Sequence, residues 1–199
     1  KLNEIANLVV NDVVCQAGIL LYSINQKKYK ESNALITIGT SLGLCLFEND
    51  LDMYDALMQA KSYEIAHEYL DKWPLESDTD YINLLIGNKV PRLCTLFSVG
   101  GLCAYMGGMV QIKNEYMITA KQSDIANILR QNMSKSQKRK LDVWFKDLQK
   151  VCKIYLAEKG LNINRINFIF SGGIIDAIKE SDIDFNLSNY TLAIKGKLN

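Results

Sequence analysis

An uncharged stretch of twenty residues, from Leu93 to Ile112, constrains the fold of this chain more than any other feature. A segment of this length must be hidden from water, either in a bilayer or in the core of a protein. Four glycines and several polar side chains dilute its hydropathy, and the flanking Arg92 and Lys113 give no orientation bias. We therefore predict a buried core segment rather than a membrane span. The first residues lack the pattern of a signal peptide, so we expect a cytoplasmic protein.

The cysteines also indicate a reducing compartment such as the cytoplasm. They are five in number, lie within apolar segments and show no CxxC spacing (Cys15, Cys45, Cys94, Cys103 and Cys152). This pattern is typical of small buried hydrophobic residues. We therefore predict reduced, structural thiols, with no disulfide, no metal site and no cofactor.

The composition predicts a single helical domain over residues 1–199. Nearly half of the 199 residues are hydrophobic, which is enough for one sizeable core. Only Pro74 and Pro91 interrupt the chain, and this scarcity of proline favours long helices. We expect an all-α fold, either a multi-helix bundle or stacked antiparallel helical pairs, with a minor strand near the C-terminus.

Apolar spacing of three and four residues predicts the individual helices. They run to about Asn25, from Ala34 to Phe47, from Asp50 or Asp52 to Trp73, from Asp78 or Asp80 to Gly87, through the uncharged stretch, around Ile125–Leu129, and from Lys135 to Lys159. In the second of these helices, Gly39 and Gly43 would allow a close approach to the uncharged stretch. The segment 164–180 is consistent with either a last helix or a strand, turn and helix.

The charge of the chain is unevenly distributed although its net value is only +1. Residues 48–80 hold ten acids and two lysines, whereas residues 113–165 hold twelve cations and five acids. A charged face steers a partner of opposite sign, so each of these segments is a candidate interaction surface.

The acidic segment motivates our leading hypothesis. Aromatic side chains interleave with the acids, and an acidic rim around aromatic anchors suits a basic protein partner. The candidate partner-binding residues are Asp52, Tyr54, Asp55, Tyr63, Glu64, Glu68 and Asp71. Because the sequence holds no coherent catalytic set, we predict that the protein is not an enzyme. We expect it to act by occluding a protein partner, as the immunity or antitoxin partner of a bacterial toxin does.

Two alternatives come from other classes of function. Four cations lie within six residues at the start of the late helix, namely Lys135, Lys138, Arg139 and Lys140. They would bind phosphates if helix 135–159 engages nucleic acid. The second alternative is an enzyme whose site the sequence does not reveal.

Two smaller motifs would have a chemical role only in a particular structural context. His67, the single histidine, could serve as a general base if Glu64 or Asp71 orients it, but such a histidine is more often structural. Ser171-Gly172-Gly173 could present backbone amides to a phosphate if it follows a strand and opens a helix. It lacks the lysine of a P-loop and the full GxGxxG spacing.

Overall fold

The computed structural model describes residues 14, 17, 32–48, 55, 58–87, 91–114, 117–130, 133–180, 191–194 and 197–198. Within them lie the strands β1 (Ser32–Ile38), β2 (Leu42–Glu48), β3 (Lys61–Tyr63), β4 (Gln111–Ile112), β5 (Ile118–Thr119), β6 (Ile166–Ser171), β7 (Thr191–Ile194) and β8 (Lys197–Leu198). The helices are α1 (Asp80–Ile86), α2 (Leu93–Leu96), α3 (Val99–Tyr105), α4 (Gln122–Arg130), α5 (Lys135–Glu158) and α6 (Gly173–Glu180). Short 3-10 turns occupy Ile65–His67, Leu70–Lys72 and Ile163–Arg165.

Six of the strands form one mixed sheet, in the order β3-β2-β1-β6-β7-β8, and β4 and β5 form a separate hairpin. Strand β1 pairs antiparallel with β2, with Ile38 opposite Leu42. It also pairs parallel with β6, with Ala34 opposite Phe168. Strand β6 in turn pairs parallel with β7. The prediction of an all-α fold is therefore wrong, and the architecture is mixed α/β.

The predicted helix from Ala34 to Phe47 is instead the β1–β2 hairpin, which turns at residues 39–41. Both faces of this hairpin are buried, since Ile36 and its neighbour Leu35 are each fully hidden from solvent. A strand buried on both faces gives a continuous apolar run without period-two alternation, and such a run resembles a buried helix. Gly39 and Gly43 accordingly do not share a helix face.

The predicted helix from Asp50 to Trp73 is also wrong beyond Ala60. Residues 55, 58 and 59 are helical, but β3 follows, and then come the 3-10 turns Ile65–His67 and Leu70–Lys72. A 3-10 turn places residues i and i+3 on the same side, which reproduces the spacing of an amphipathic helix over a short distance. The predicted first helix lies outside the described residues except for Val14 and Ala17, which are helical and buried.

Most of the uncharged stretch lies in the core, as predicted, but its last residues do not, since Met109 and Ile112 are exposed. It forms two short helices, α2 and α3, separated by Phe97 and Ser98, and the Ser98 hydroxyl accepts a hydrogen bond from the Gly101 amide at 3.0 Å. The indole nitrogen of Trp144 donates to the carbonyl of Leu96 at 3.1 Å, which anchors α2 on α5. Among the described residues, no helix is long and apolar enough to cross a membrane.

Helix α5 confirms the most detailed of the helix predictions. Ser134 caps its first turn and Gln137 completes a reciprocal capping box, as is typical of a strong helix start. The predicted apolar face is buried throughout, namely Leu141, Trp144, Phe145, Leu148, Val151, Cys152, Tyr155 and Leu156. Gly160 follows the helix with φ near 80°, a conformation that glycine adopts readily.

Other predictions are confirmed near the C-terminus and around Gly87. Helix α1 ends before Gly87, and β7 matches the tail strand predicted from alternating residues. Of the two alternatives for segment 164–180, the structure has the strand, turn and helix, because β6 is followed directly by α6. The four described cysteines, Cys45, Cys94, Cys103 and Cys152, are buried thiols.

Candidate phosphate-binding site

At the centre of the sheet, the connections that leave the two neighbouring strands β1 and β6 lead in opposite directions. From β1 the chain turns into β2 on one side, whereas from β6 it continues through α6 to β7 on the other side. Strands β1 and β6 are adjacent and parallel, so their carboxyl ends meet at the same edge of the sheet. In open α/β sheets, ligands bind in the crevice that forms at such a point.

The β1–β2 turn forms one side of this crevice. The amide of Gly39 donates to the carbonyl of Ser41 at 3.0 Å, and the carbonyl of Gly39 accepts a hydrogen bond from the amide of Val99 at 2.8 Å. The first turn of α3 therefore holds the β1–β2 turn in place. Thr40 and Ser41 remain exposed at its tip, so their hydroxyl groups are accessible to a ligand.

The second side of the crevice is the connection between β6 and α6. Gly172 has φ near 106°, a conformation that residues with a side chain rarely adopt. The amide of Asp176 donates to the carbonyl of Gly172 at 3.1 Å, so Gly172 caps α6. The first backbone amides of a helix have no intrahelical acceptor, and together with the helix dipole they favour an anion. The sequence prediction required Ser171-Gly172-Gly173 to follow a strand and open a helix, and the structure has this arrangement.

A cavity of about 360 Å³ lies between these two loops and a third wall. The third wall consists of Tyr63, Glu64 and His67. The lining residues in full are Thr37, Ile38, Gly39, Thr40, Ser41, Leu42, Gly43, Leu44, Ser62, Tyr63, Glu64, Ala66, His67, Gly172 and Gly173. They offer hydroxyl groups and backbone amides, one carboxylate and one imidazole, and these described lining residues include no lysine or arginine.

The core fixes the position of the third wall. Ile65 and Ala66 are buried, so the 3-10 turn between Glu64 and Glu68 is anchored while Glu64 and His67 stay exposed. The Glu64 carboxylate lies 3.7 Å from Nε2 of His67. Arg92 donates from Nη1 to the carbonyl of His67 at 2.9 Å, and its guanidinium lies 5.2 Å from the centre of the Tyr69 ring.

Tyr63 is half-buried at the base of this wall. Its ring meets the ring of Tyr155 edge-on at 6.0 Å. Burial, together with the nearby Cys45, raises the pKa of the Tyr63 hydroxyl above its usual value. The hydroxyl therefore stays protonated at neutral pH and can donate a hydrogen bond.

The structure disperses the residues of the predicted acidic surface. Tyr63 and Glu64 lie in the cavity wall, Glu68 forms an ion pair with Lys72 at 2.9 Å, and Asp71 is exposed on a 3-10 turn. Asp55 is helical and exposed, whereas Asp52 and Tyr54 lie outside the described residues. The single amphipathic helix that was to present them is absent from the described residues. Binding of a protein partner by these residues stays a prediction.

The basic residues of the alternative hypothesis lie away from the cavity. Lys135, Lys138, Arg139 and Lys140 occupy the first turns of α5, as predicted, and none of them lines the cavity. The ammonium group of Lys140 contacts the carbonyl of Tyr105 at 3.5 Å and lies 5.3 Å from the centre of that ring. Within the described part of the chain, no cluster of His, Cys, Asp and Glu has the geometry of a metal site.

Comparison with known proteins gives one structural likeness to report. The chain resembles a glucokinase from an Antarctic psychrotroph, with 19% sequence identity and a TM-score of 0.42. The match covers 87% of this chain and 54% of the glucokinase, so the chain spans about half the length of that protein. No protein-family model matches the sequence, and no curated protein matches it.

The prediction that the protein is not an enzyme is not kept, because it depended on the absence of a coherent catalytic set and the fold forms a polar cavity that the sequence did not reveal. The immunity-type function was argued from the missing catalytic set and the uneven charge, and it stays a prediction.

Proposed function

We propose that the chain binds the phosphate group of a small molecule in the cavity between the β1–β2 turn and α6, as part of an enzyme active site. One observation carries the proposal. Two glycine-containing loops meet at the carboxyl ends of adjacent parallel strands, where the chain connections diverge and a helix begins. This develops the sequence-based alternative of an enzyme with an unrecognised site.

The charge of the lining residues defines how the phosphate is bound. Because none of the described lining residues is cationic, backbone amides, hydroxyl groups and the dipole of α6 have to offset the negative charge. The carboxylate of Glu64 adds a negative charge to the same cavity. A phosphate that arrives as its Mg²⁺ complex brings the missing positive charge with it. We therefore propose magnesium complexes of phosphorylated compounds as the ligand class.

The third wall supports a role in selecting the rest of the ligand. Glu64 accepts hydrogen bonds, and the Tyr63 hydroxyl can donate one. His67 lies next to Glu64, with its Nε2 3.7 Å from the carboxylate. A polar group of the ligand, such as a hydroxyl, would meet these side chains while its phosphate contacts the glycine loops.

Ser41 offers a direct test because it is exposed at the tip of the β1–β2 turn. Ser41→Asp places a negative charge beside the proposed phosphate, and Ser41→Asn is the matched neutral control of nearly the same shape. Calorimetric titration with magnesium pyrophosphate and with magnesium ADP measures the affinity of each variant.

We expect Ser41→Asp to lose at least about tenfold in affinity, since a like charge in a binding site costs more than about 1.4 kcal/mol. Ser41→Asn should stay within about threefold of the parent chain, a change below about 0.7 kcal/mol. Equal affinities of the two variants, or no binding of either compound by the parent chain, would refute the proposal.

A further inference from the structure

The side of α5 that faces away from the core carries a row of cations. At 100° per residue, six cations fall within about a third of the circumference of the helix. They are Lys135, Lys138, Arg139, Lys146, Lys150 and Lys153. The row runs from Lys135 to Lys153, about 27 Å along the helix, so it is long enough to follow a polymer.

Few acids offset this row. Asp142 lies on the same side of the helix, but it is already bound to Lys146 at 2.7 Å. Asp147 is buried and accepts hydrogen bonds from the amides of Glu76 and Ser77. No acid occurs in the first turn of the helix, and none occurs between residues 125 and 141 of the sequence.

The arrangement lowers the stability of the helix. Lys135 and Arg139 are four residues apart, and like charges at this spacing destabilise a helix by a few tenths of a kcal/mol, about 0.2 to 0.5. Cations in the first turn also oppose the positive end of the helix dipole. The capping box of Ser134 and Gln137 holds the helix start in spite of these charges. A purely structural helix would gain from acids at these positions.

Some of these cations also have structural roles. Lys150 donates to the carbonyl of Pro74 at 2.8 Å, and Lys153 lies 5.5 Å from the centre of the Phe168 ring. These contacts account for the C-terminal half of the row. Lys135 and Arg139 are exposed at the other end of the row, and neither of these contacts involves them.

We infer that this row on α5 is a docking surface for the phosphate backbone of a nucleic acid. Repeated phosphates at fixed spacing match a row of cations along a straight helix. The aromatic side chains of α5 are buried and are not available to stack on bases, so binding of this kind would be independent of base sequence. The row is separate from the proposed phosphate-binding cavity, whose lining includes no residue of α5.

The test compares two triple variants of equal net charge. The first replaces Lys135, Lys138 and Arg139 by alanine, and the control replaces Lys61, Lys113 and Lys121, which are exposed elsewhere. Fluorescence anisotropy with a labelled DNA duplex of mixed sequence measures binding over a range of salt concentrations. A DNA duplex does not fit into a cavity of about 360 Å³, so binding in the cavity does not contribute.

We expect the parent chain and the control to bind DNA with an affinity that falls steeply as the salt concentration rises. The α5 variant should bind more weakly, and its log–log salt slope should be shallower by about 2 to 3, because each phosphate contact contributes about 0.9. Its melting temperature should be equal to or above that of the parent, since the substitutions remove charge repulsion and introduce alanine.

Three results would overturn the inference: no DNA binding by the parent chain at low salt, equal slopes for the two variants, or equally tight binding of polyglutamate. The last would identify a general affinity for polyanions. None of these results bears on the cavity, which is tested with small phosphates.

Discussion

The backbone of Gly172 lies directly against the backbone of Ile38. A Cβ atom on Gly172 would stand 2.8 Å from the nitrogen of Ile38 and closer still to its carbonyl oxygen. The connection between β6 and α6 is therefore in backbone contact with the end of β1, just before the β1–β2 turn, and only glycine permits this approach at the positive φ of residue 172. The close contact fixes the spacing between the β1–β2 turn and the start of α6.

The first prediction follows from this contact. Gly172→Ala should lower the free energy of unfolding by at least about 2 kcal/mol, because it combines backbone strain with a steric clash. Gly39→Ala is the matched control, since a Cβ atom there would meet nothing within 4 Å. Urea denaturation of both variants measures the difference. Equal stabilities would show that the two loops do not pack as described.

Arg92 positions the third wall through the carbonyl of His67. Arg92→Ala removes this hydrogen bond and should change the environment of the imidazole. Lys72→Ala is the control, because Lys72 also lies over the Tyr69 ring but contacts Glu68 rather than His67. His67 is the only histidine of the chain, so its ring C–H signals can be assigned directly in a proton NMR spectrum. We expect these signals to move in Arg92→Ala and to stay in place in Lys72→Ala; the reverse pattern would contradict the assigned role.

Asp147 ties α5 to the loop before α1. Its carboxylate accepts hydrogen bonds from the amides of Glu76 and Ser77, the shortest of them at 2.7 Å. Asp147→Asn should cost about 2 to 3 kcal/mol, because a buried charge-assisted network loses an acceptor. Asp142→Asn on the same helix should cost less than about 1 kcal/mol, since its ion pair with Lys146 is exposed. Chemical denaturation distinguishes the two, and similar losses would refute the assignment.

Cys45 gives a prediction for alkaline pH. Burial raises the pKa of its thiol from 9.0 to about 12. Between these values the unfolded chain loses the proton and the folded chain keeps it, so stability falls as the pH rises through this window. In Cys45→Ala the decline should be shallower by about 1.4 kcal/mol per pH unit, the contribution of one proton. Parallel stability curves for variant and parent between pH 9 and 11 would contradict a buried thiol.

Local sequence signals predicted α5 because every signal agreed there. Ser134 and Gln137 form the capping box, the apolar face repeats over many turns, and Gly160 ends the pattern. The β1–β2 hairpin was missed because both of its faces are buried and no alternation is visible. Helix α5 is thus predictable from local spacing alone, whereas the sheet is not.

The candidate site was only half visible in the sequence. The motif around Gly172 was recognised, together with the context that it requires. Its partner, the turn at Gly39, was assigned to a helix, because nothing local indicates that β1 pairs with β6. That pairing joins segments 134 residues apart, as the hydrogen bond at 3.3 Å between the side chains of Asn167 and Asn33 illustrates. Long-range pairing of this kind leaves no periodic signal in a single sequence.

The central claim is that the glycine loops and the wall of Tyr63, Glu64 and His67 form a single site for a phosphorylated ligand. The most direct measurement is a titration of the parent chain with magnesium ADP, followed through the ring C–H signals of His67. The account predicts a saturable shift of these signals with the same dissociation constant as calorimetry, and loss of that shift in Ser41→Asp but not in Ser41→Asn. Signals that stay fixed while calorimetry records binding would contradict it, because the phosphate would then bind away from this wall.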